Sequence, residues 1–267
     1  MFSKDLDTLV AYPAAKNSPS YSIPGKVTHI GNRAFYRCSR LGKIKIPGNL
    51  THIGEKAFYG CSSLPEIKIP GKVIHIGDGA FAFCEKLTEI EAAGGNKFFA
   101  GRDGILYDKD FTALIAYPAG YTAVPKRARS FGFGNGKTEK KAQRPLSWNM
   151  PEGIIRIGPY AFAGASALSS ITLPGDLKTL GERAFAGCSD LNAINIPGEV
   201  AGIGGGVFDG CPRLGIITLD ALRPPELESN FLLFDEAWRG GIYVPPAALN
   251  AYRQAKGWKD YAGMINP

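Results

Sequence analysis

Ile53-Gly54-Glu55-Lys56-Ala57-Phe58-Tyr59-Gly60-Cys61-Ser62-Ser63-Leu64-Pro65-Glu66-Ile67-Lys68-Ile69-Pro70 decides the fold, because the chain repeats it. The isoleucine-glycine pair returns every 23 residues, as Ile30-Gly31, Ile53-Gly54 and Ile76-Gly77, and then as Ile157-Gly158, Leu180-Gly181 and Ile203-Gly204. Ala-Phe keeps the same beat at 34–35, 57–58, 80–81, 161–162 and 184–185, with Val207-Phe208 in the last copy. Cysteine follows at 38, 61, 84, 188 and 211, with Ala165 as the exception, and leucine at 41, 64, 87, 168, 191 and 214. A fixed period of roughly 20–50 residues is the signature of a solenoid, in which units too small to bury their own apolar side chains bury them by stacking.

Each unit ends in an alternating stretch such as Lys43-Ile44-Lys45-Ile46, usually closed by Pro-Gly. A period of two places the isoleucines on one side of a short strand and the lysines on the other, and proline with glycine ends it. Strands are therefore expected near 42–46, 65–69, 88–91, 169–173, 192–196 and 215–219. The Ile-Gly-x-x-Ala-Phe segment is expected to form a short turn of helix or 3₁₀ helix on the opposite side. Stacking at roughly 4.8 Å per strand gives a parallel sheet.

The quoted unit resembles the BspA-like family of leucine-rich repeats, found in surface proteins of host-associated bacteria, and the resemblance covers nearly the whole chain. It implies a right-handed leucine-rich-repeat solenoid with a parallel β-sheet on the concave face, turns or 3₁₀ helices opposite, and a capping helix at the C-terminal end. It also implies an extracellular or cell-surface location and adhesion to a host or neighbouring-cell protein or glycan. A repeat fold hosts many functions, so a site has to be argued separately.

The 267 residues are 45% hydrophobic with a net charge of +7. That charge is local: residues 126–144 hold seven basic residues against Glu139 alone. The remaining chain is near neutral, which argues against a nucleic-acid-binding face. There is no apolar run of about 18 residues to span a membrane, and no signal peptide opens the chain. A monomer is expected.

The period breaks in two places. Residues 2–13 match residues 107–118 without a gap, and Asp103-Gly104-Ile105-Leu106 precede the second copy. These residues read as a β-hairpin pairing Ile105–Tyr107 with Leu114–Tyr117 around a polar turn. Hairpins of this kind also punctuate BspA-like arrays. The first copy lacks the preceding strand, so the chain is expected to begin inside a structural unit, through trimming or a misplaced gene start; a genuine mature terminus is the alternative. The second break, 124–150, reads as a decayed basic repeat that has lost its Ala-Phe and cysteine slots, with 133–149 expected to be irregular. At the end, Ile242-Tyr243-Val244-Pro245 reads as a last strand and Pro246 to Lys256 as a helix, bracketed by proline and Gly257. The organisation is thus a partial hairpin unit (1–22), a first repeat block (23–92), a hairpin unit (93–123), the decayed repeat (124–150), a second block (151–220) and a cap (221–267).

Catalytic chemistry finds no support. Phe131-Gly-Phe-Gly-Asn-Gly136-Lys137-Thr138 approaches a phosphate-binding loop, but Phe131 occupies the first glycine and repeat alignment makes the segment a damaged solenoid turn. The only histidines, His29, His52 and His75, recur at one slot and should stack in a row. Such a row is read as duplicated surface histidine in preference to a metal site. The five cysteines also form a ladder, expected to be buried and unbridged because ladder side chains run parallel. Cysteine usage leaves the redox compartment open. No nucleophile has a base to serve it, and no cofactor or metal is expected.

The outward strand slots remain as the candidate partner-binding surface: Lys43, Lys45, Glu66, Lys68, Glu89, Glu91, Ser170, Thr172, Asn195 and Thr218. They run from basic through acidic to neutral. The expected function is a non-catalytic binding or adhesion module. The alternatives are a structural spacer or decayed fragment without its own ligand, and an intracellular interaction scaffold.

Overall fold

The computed structural model describes residues 1–14, 18–121, 146–228, 233–234 and 238–267. The chain winds into a β-solenoid of about 10 turns. One side carries the longer strands, paired in parallel: Ser20–Ser22 with Lys43–Lys45, Glu66–Ile69 with Glu89–Ala92, Leu146–Asn149 with Leu168–Thr172, and Ala193–Ile196 with Ile216–Leu219. The last pair continues through Gly241–Tyr243 to Ile265–Asn266. Alternation along them is as the sequence dictates: in Glu66–Ile69 the two isoleucines are buried and Glu66 and Lys68 exposed.

The Ile-Gly step differs from expectation. It holds no helix but the end of a two-residue strand, and these strands form a second parallel ladder. Thr8–Leu9, His29–Ile30, His52–Ile53 and His75–Ile76 make its first part. Ala113–Ala116, Arg156–Ile157, Thr179–Leu180, Gly202–Ile203 and Glu226–Leu227 make its second. The glycine of the motif is required by space. A Cβ at Gly54 would lie 2.5 Å from the backbone nitrogen of Asn32 in the preceding coil, and one at Gly181 would lie 2.5 Å from that of Pro159.

Beyond the glycine come turns. The N–H groups of Ala57, Tyr59 and Cys61 donate to carbonyls three residues earlier, while those of Lys56, Phe58 and Gly60 donate to Asp78, Ala80 and Ala82 in the next coil. A helix would need every N–H within the segment; here alternate ones bind along the solenoid axis. Residues such as Lys56 (φ 51°) and Gly60 (φ 70°) adopt the left-handed region to make this alternation.

The hairpin forms as expected. Ile105–Asp108 pairs antiparallel with Ala113–Ala116, and an additional strand, Phe99–Arg102, joins its other edge. The first copy repeats the contact in reduced form, Phe2 bridging Leu9 as Tyr107 pairs with Leu114. The apolar core divides here into two clusters. Leu106 packs with the N-terminal one, Ile105 and Tyr107 with the other. The turn side bridges the division: the Phe83 N–H donates to the Ala163 carbonyl at 2.9 Å, and Ala82, Tyr160, Ala163 and Ala186 form a small cluster against Tyr59 and Phe83.

One expectation is corrected at its end. Residues 146–149 are not irregular but a strand, because Leu146-Ser147-Trp148-Asn149 alternates and finds the ladder of Leu168–Thr172. The rest of 133–149, the whole basic stretch 126–144 and with it the loop Phe131–Thr138 lie outside the described residues. The cap is a 3₁₀ turn Pro246–Ala248, a helix Leu249–Gln254 shorter than expected, and a second 3₁₀ segment Trp258–Met264. Tyr252 and Trp258 are fully buried against the last coil.

Candidate functional site on the long-strand face

Two outward columns run along the longer strands. Lys43, Lys45, Glu66, Lys68, Glu91, Thr172 and Asn195 are exposed, and Glu89, Ser170 and Thr218 are half-buried. The structure brings them together in register: Glu66 beside Glu89, Lys68 beside Glu91, and Asn195 beside Thr218. Lys68 and Glu91 form an ion pair at 3.3 Å, both side chains more than half exposed. Such a pair is screened by solvent and contributes about 0–1 kcal/mol. Its effect is to hold the two side chains in place. Ser170 donates to the Ser147 hydroxyl at 2.7 Å, and the Asn195 amide donates to the Asp220 carboxylate at 2.8 Å.

Sequence reasoning missed several members of these columns, among them Ser20 and Ser22, which pair with Lys43 and Lys45. Ser147 and Asn149 lie on the strand taken for decayed repeat. Tyr243 pairs with Thr218 and with Asn266, continuing one column into the cap. The alternation of Ile242-Tyr243-Val244 was enough to find Tyr243; nothing in Met264-Ile265-Asn266-Pro267 marks a strand.

The histidines sit on the other, shorter ladder. The rings of His29 and His52 stack at 4.4 Å and those of His52 and His75 lie 5.8 Å apart. Thr28 and Thr51 hydroxyls hold the Nδ1 atoms of His29 and His52 at 2.8 and 2.9 Å. Burial, and then the neighbouring His29 and His75, lower the pKa of His52. Stacked rings present their nitrogens side by side rather than converging, and among the described residues no group of three or more His, Cys, Asp or Glu is placed to hold a metal.

Where the hairpin interrupts the stack, a cleft of about 70 Å³ opens between Asp78, Ile115, Pro159 and Tyr160. Burial raises the Asp78 pKa, reinforced by Glu55 and Glu182. The cleft brings no base to a nucleophile. The cysteine thiols are equally unsuited to chemistry: all five are free and buried, and burial pushes Cys38 up to about 11 and Cys84 to about 12. Among the described residues no helix is long and apolar enough to cross a membrane.

The geometry agrees with comparisons to known proteins. A family model described as a BspA-type leucine-rich repeat region matches in 6 copies over residues 11–100 and 144–224. No curated protein matches the chain. Among solved structures, a leucine-rich repeat protein from Eubacterium ventriosum is similar over 88% of this chain, with 25% identity and a TM-score of 0.65. The pneumococcal vaccine antigen PcpA is similar over 92%, with 25% identity and a TM-score of 0.60. A leucine-rich cell surface protein from Faecalibacterium prausnitzii is similar over 87%, with 25% identity and a TM-score of 0.56. The chain spans less than two thirds of each, covering 64%, 65% and 62% of their lengths.

Proposed function

Because the chain belongs to the BspA-type leucine-rich repeat family, we propose that it is a non-catalytic binding module of a bacterial surface or secreted protein, engaging a macromolecular partner on its long-strand face. The observation that carries this reading is the pair of outward columns. Their side chains are mostly polar and exposed and are held in register by a hydrogen-bonded sheet, so little ordering remains to oppose association. The surface location rests on the family and on the likeness to a cell surface protein. The basic stretch 126–144 is the competing surface; it would attract anionic polymers with strong salt dependence and little selectivity.

Binding to a panel of matrix proteins and glycans tests the reading with three variants. One replaces Lys45, Lys68 and Glu91 by alanine, one replaces Asn195 and Thr218 by alanine, and one replaces Lys137, Lys140 and Lys141 by glutamine. Weakened binding in at least one of the first two, with the third unaffected, is expected. Binding that survives both strand-face variants and disappears in the third overturns the proposal. A parent chain that binds nothing on the panel overturns it in favour of a structural spacer.

A further inference from the structure

The two halves of the long-strand face differ in kind. In its N-terminal half the outward slots start with Ser20 and Ser22 and are charged from there on: Lys43, Lys45, Glu66, Lys68, Glu89 and Glu91. In its C-terminal half one column contains no charge at all. Asn149 pairs with Thr172, the 23-residue period carries the column on to Asn195, and Asn195 pairs with Thr218, Thr218 with Tyr243 and Tyr243 with Asn266. Amides and hydroxyls alternate from Asn149 to Thr218, Tyr243 adds a second hydroxyl and Asn266 a last amide, and both groups donate and accept.

Tyr243 supplies what the amides and hydroxyls lack, an exposed aromatic surface. It is 39% exposed, and its ring leans back along its own strand over Gly241. A Cβ at Gly241 would lie 2.9 Å from Cε2 of that ring and 3.2 Å from its hydroxyl oxygen, so the missing side chain is what lets the ring lie down on the sheet. Ile216, paired with Gly241 and 47% exposed, extends the apolar floor beside it. The Asn195 amide is held by Asp220 at 2.8 Å and is thereby fixed in orientation.

We infer that this half of the face is a binding site for a neutral oligosaccharide laid across the strands. The inference rests on the strand-face reading above and names its ligand class. A sugar chain presents hydroxyls at every residue, each needing a partner that both donates and accepts, and apolar C–H faces that stack on an aromatic ring. One strand spacing of roughly 4.8 Å is close to one pyranose unit, so successive slots meet successive sugars. A charged partner would be steered by charge; the side chains of this column carry none, and the Asp220 carboxylate beside it is bonded to the Asn195 amide. The other half, by contrast, carries charge, of which Lys68 and Glu91 satisfy each other.

Calorimetric titration with oligomers of glucose, mannose, galactose and N-acetylglucosamine, with heparin as the anionic control, tests the site. At least one neutral oligomer should bind, with an affinity unchanged between low and high salt. Tyr243→Ala should weaken it about two- to tenfold, the scale of one lost aromatic contact. Asn195→Ala, an exposed change that leaves the core alone, should weaken it as well, and Tyr243→Phe should retain most of it. Lys178→Ala, an exposed change beside the short ladder and off this face, should bind as the parent does. The inference is overturned if no neutral oligomer binds, if only heparin binds, or if neither Tyr243→Ala nor Asn195→Ala changes the affinity. Should a protein ligand instead bind and depend on the strand-face residues, the ligand class fails while the proposed function stands. A chain that binds no macromolecule sinks both.

Discussion

The Cys61 thiol donates to the carbonyl oxygen of Phe35, 3.1 Å away in the preceding coil. Cys84 does the same to Phe58, Cys188 to Phe162 and Cys211 to Phe185, at 3.1, 3.3 and 3.1 Å. The carbonyl already accepts the backbone N–H of its own turn, as Phe35 does from Cys38, so the thiol occupies its second lone pair. This explains why a small side chain with a donor recurs at that slot. The exceptions follow a hairpin. Cys38 reaches the Tyr12 carbonyl only at 4.0 Å, and Ala165 occupies the slot in the coil stacked on Tyr117. Where a tyrosine replaces the ladder phenylalanine, the thiol is loose or absent.

The ladder therefore predicts a reactivity order. Thiolate is the reactive form, and burial disfavours it least at Cys38, whose pKa is about 11, more at Cys84, at about 12, and strongly at Cys188. In the native protein a thiol reagent should modify Cys38 before Cys84 and Cys188, as followed by peptide mass spectrometry. In denaturant without reductant the count should be five free thiols. A disulfide, or Cys188 reacting as fast as Cys38, would contradict the packing described.

Where repeat stacks on repeat, at Gly54, Gly77, Gly181 and Gly204, glycine at the Ile-Gly step should be irreplaceable for reasons of space. At Gly181 a methyl group would press on backbone atoms of Gly158 and Pro159, which are themselves fixed by the short ladder. Gly181→Ala is expected to destabilise by about 1–3 kcal/mol or more, the cost of overpacking with no flexible neighbour to yield. Gly175→Ala, where nothing lies within 4 Å, serves as the control. Denaturant midpoints measure both; equal midpoints would sink the argument.

These glycines also show how far the sequence reveals the structure. The long strands are legible because Ile67 and Ile69 alternate with Glu66 and Lys68 over enough residues to display a period of two. The short ladder is hidden because a two-residue strand such as His52–Ile53 has no period, and its partners lie 23 residues away. The left-handed turn positions are concealed by Arg33, Lys56, Tyr160 and Arg183, residue types that carry no signal for positive φ. Leu146–Asn149 was obscured by its neighbours, since slots lost before it say nothing about a strand that finds its partner in the coil after it. The site was half legible: outward slots follow from alternation, but the fall of Tyr243 onto Gly241 depends on side-chain direction.

The histidine row makes stability sensitive to acid. Burial lowers the His52 pKa below 6.5, and the neighbouring His29 and His75 lower it further. Above 6.5 His52 is neutral in folded and unfolded chains and stability is flat on its account. As pH falls through 6.5 the unfolded chain takes up the proton first, so stability drops until the folded value is passed. The thermal midpoint should fall over that window, and His52→Thr, the residue of the equivalent slot at Thr179, should reduce the drop. A variant with the same acid sensitivity as the parent would remove His52 from the explanation.

The C-terminal cap should control unfolding from one end. Trp258 is 1% exposed, its Nε1 donates to the Pro225 carbonyl at 2.7 Å, and its ring meets Tyr252 edge-on at 5.1 Å. Tyr252 in turn donates its hydroxyl to the Ala221 carbonyl at 3.1 Å, so both side chains tie the cap to the segment just after strand Ile216–Leu219. Trp258→Ala is expected to cost about 3–5 kcal/mol. Trp258→Phe keeps a ring but leaves the Pro225 carbonyl unpaired, at about 1–3 kcal/mol. Because each coil of a solenoid contacts only its neighbours, the loss should appear locally. Hydrogen exchange in Trp258→Ala should accelerate at Gly241–Tyr243 and Ile216–Leu219 while Glu66–Ile69, on the far side of the hairpin, keeps its protection. Equal acceleration in all three strands would show that the two core clusters unfold as one unit and that the cap is not a local clamp.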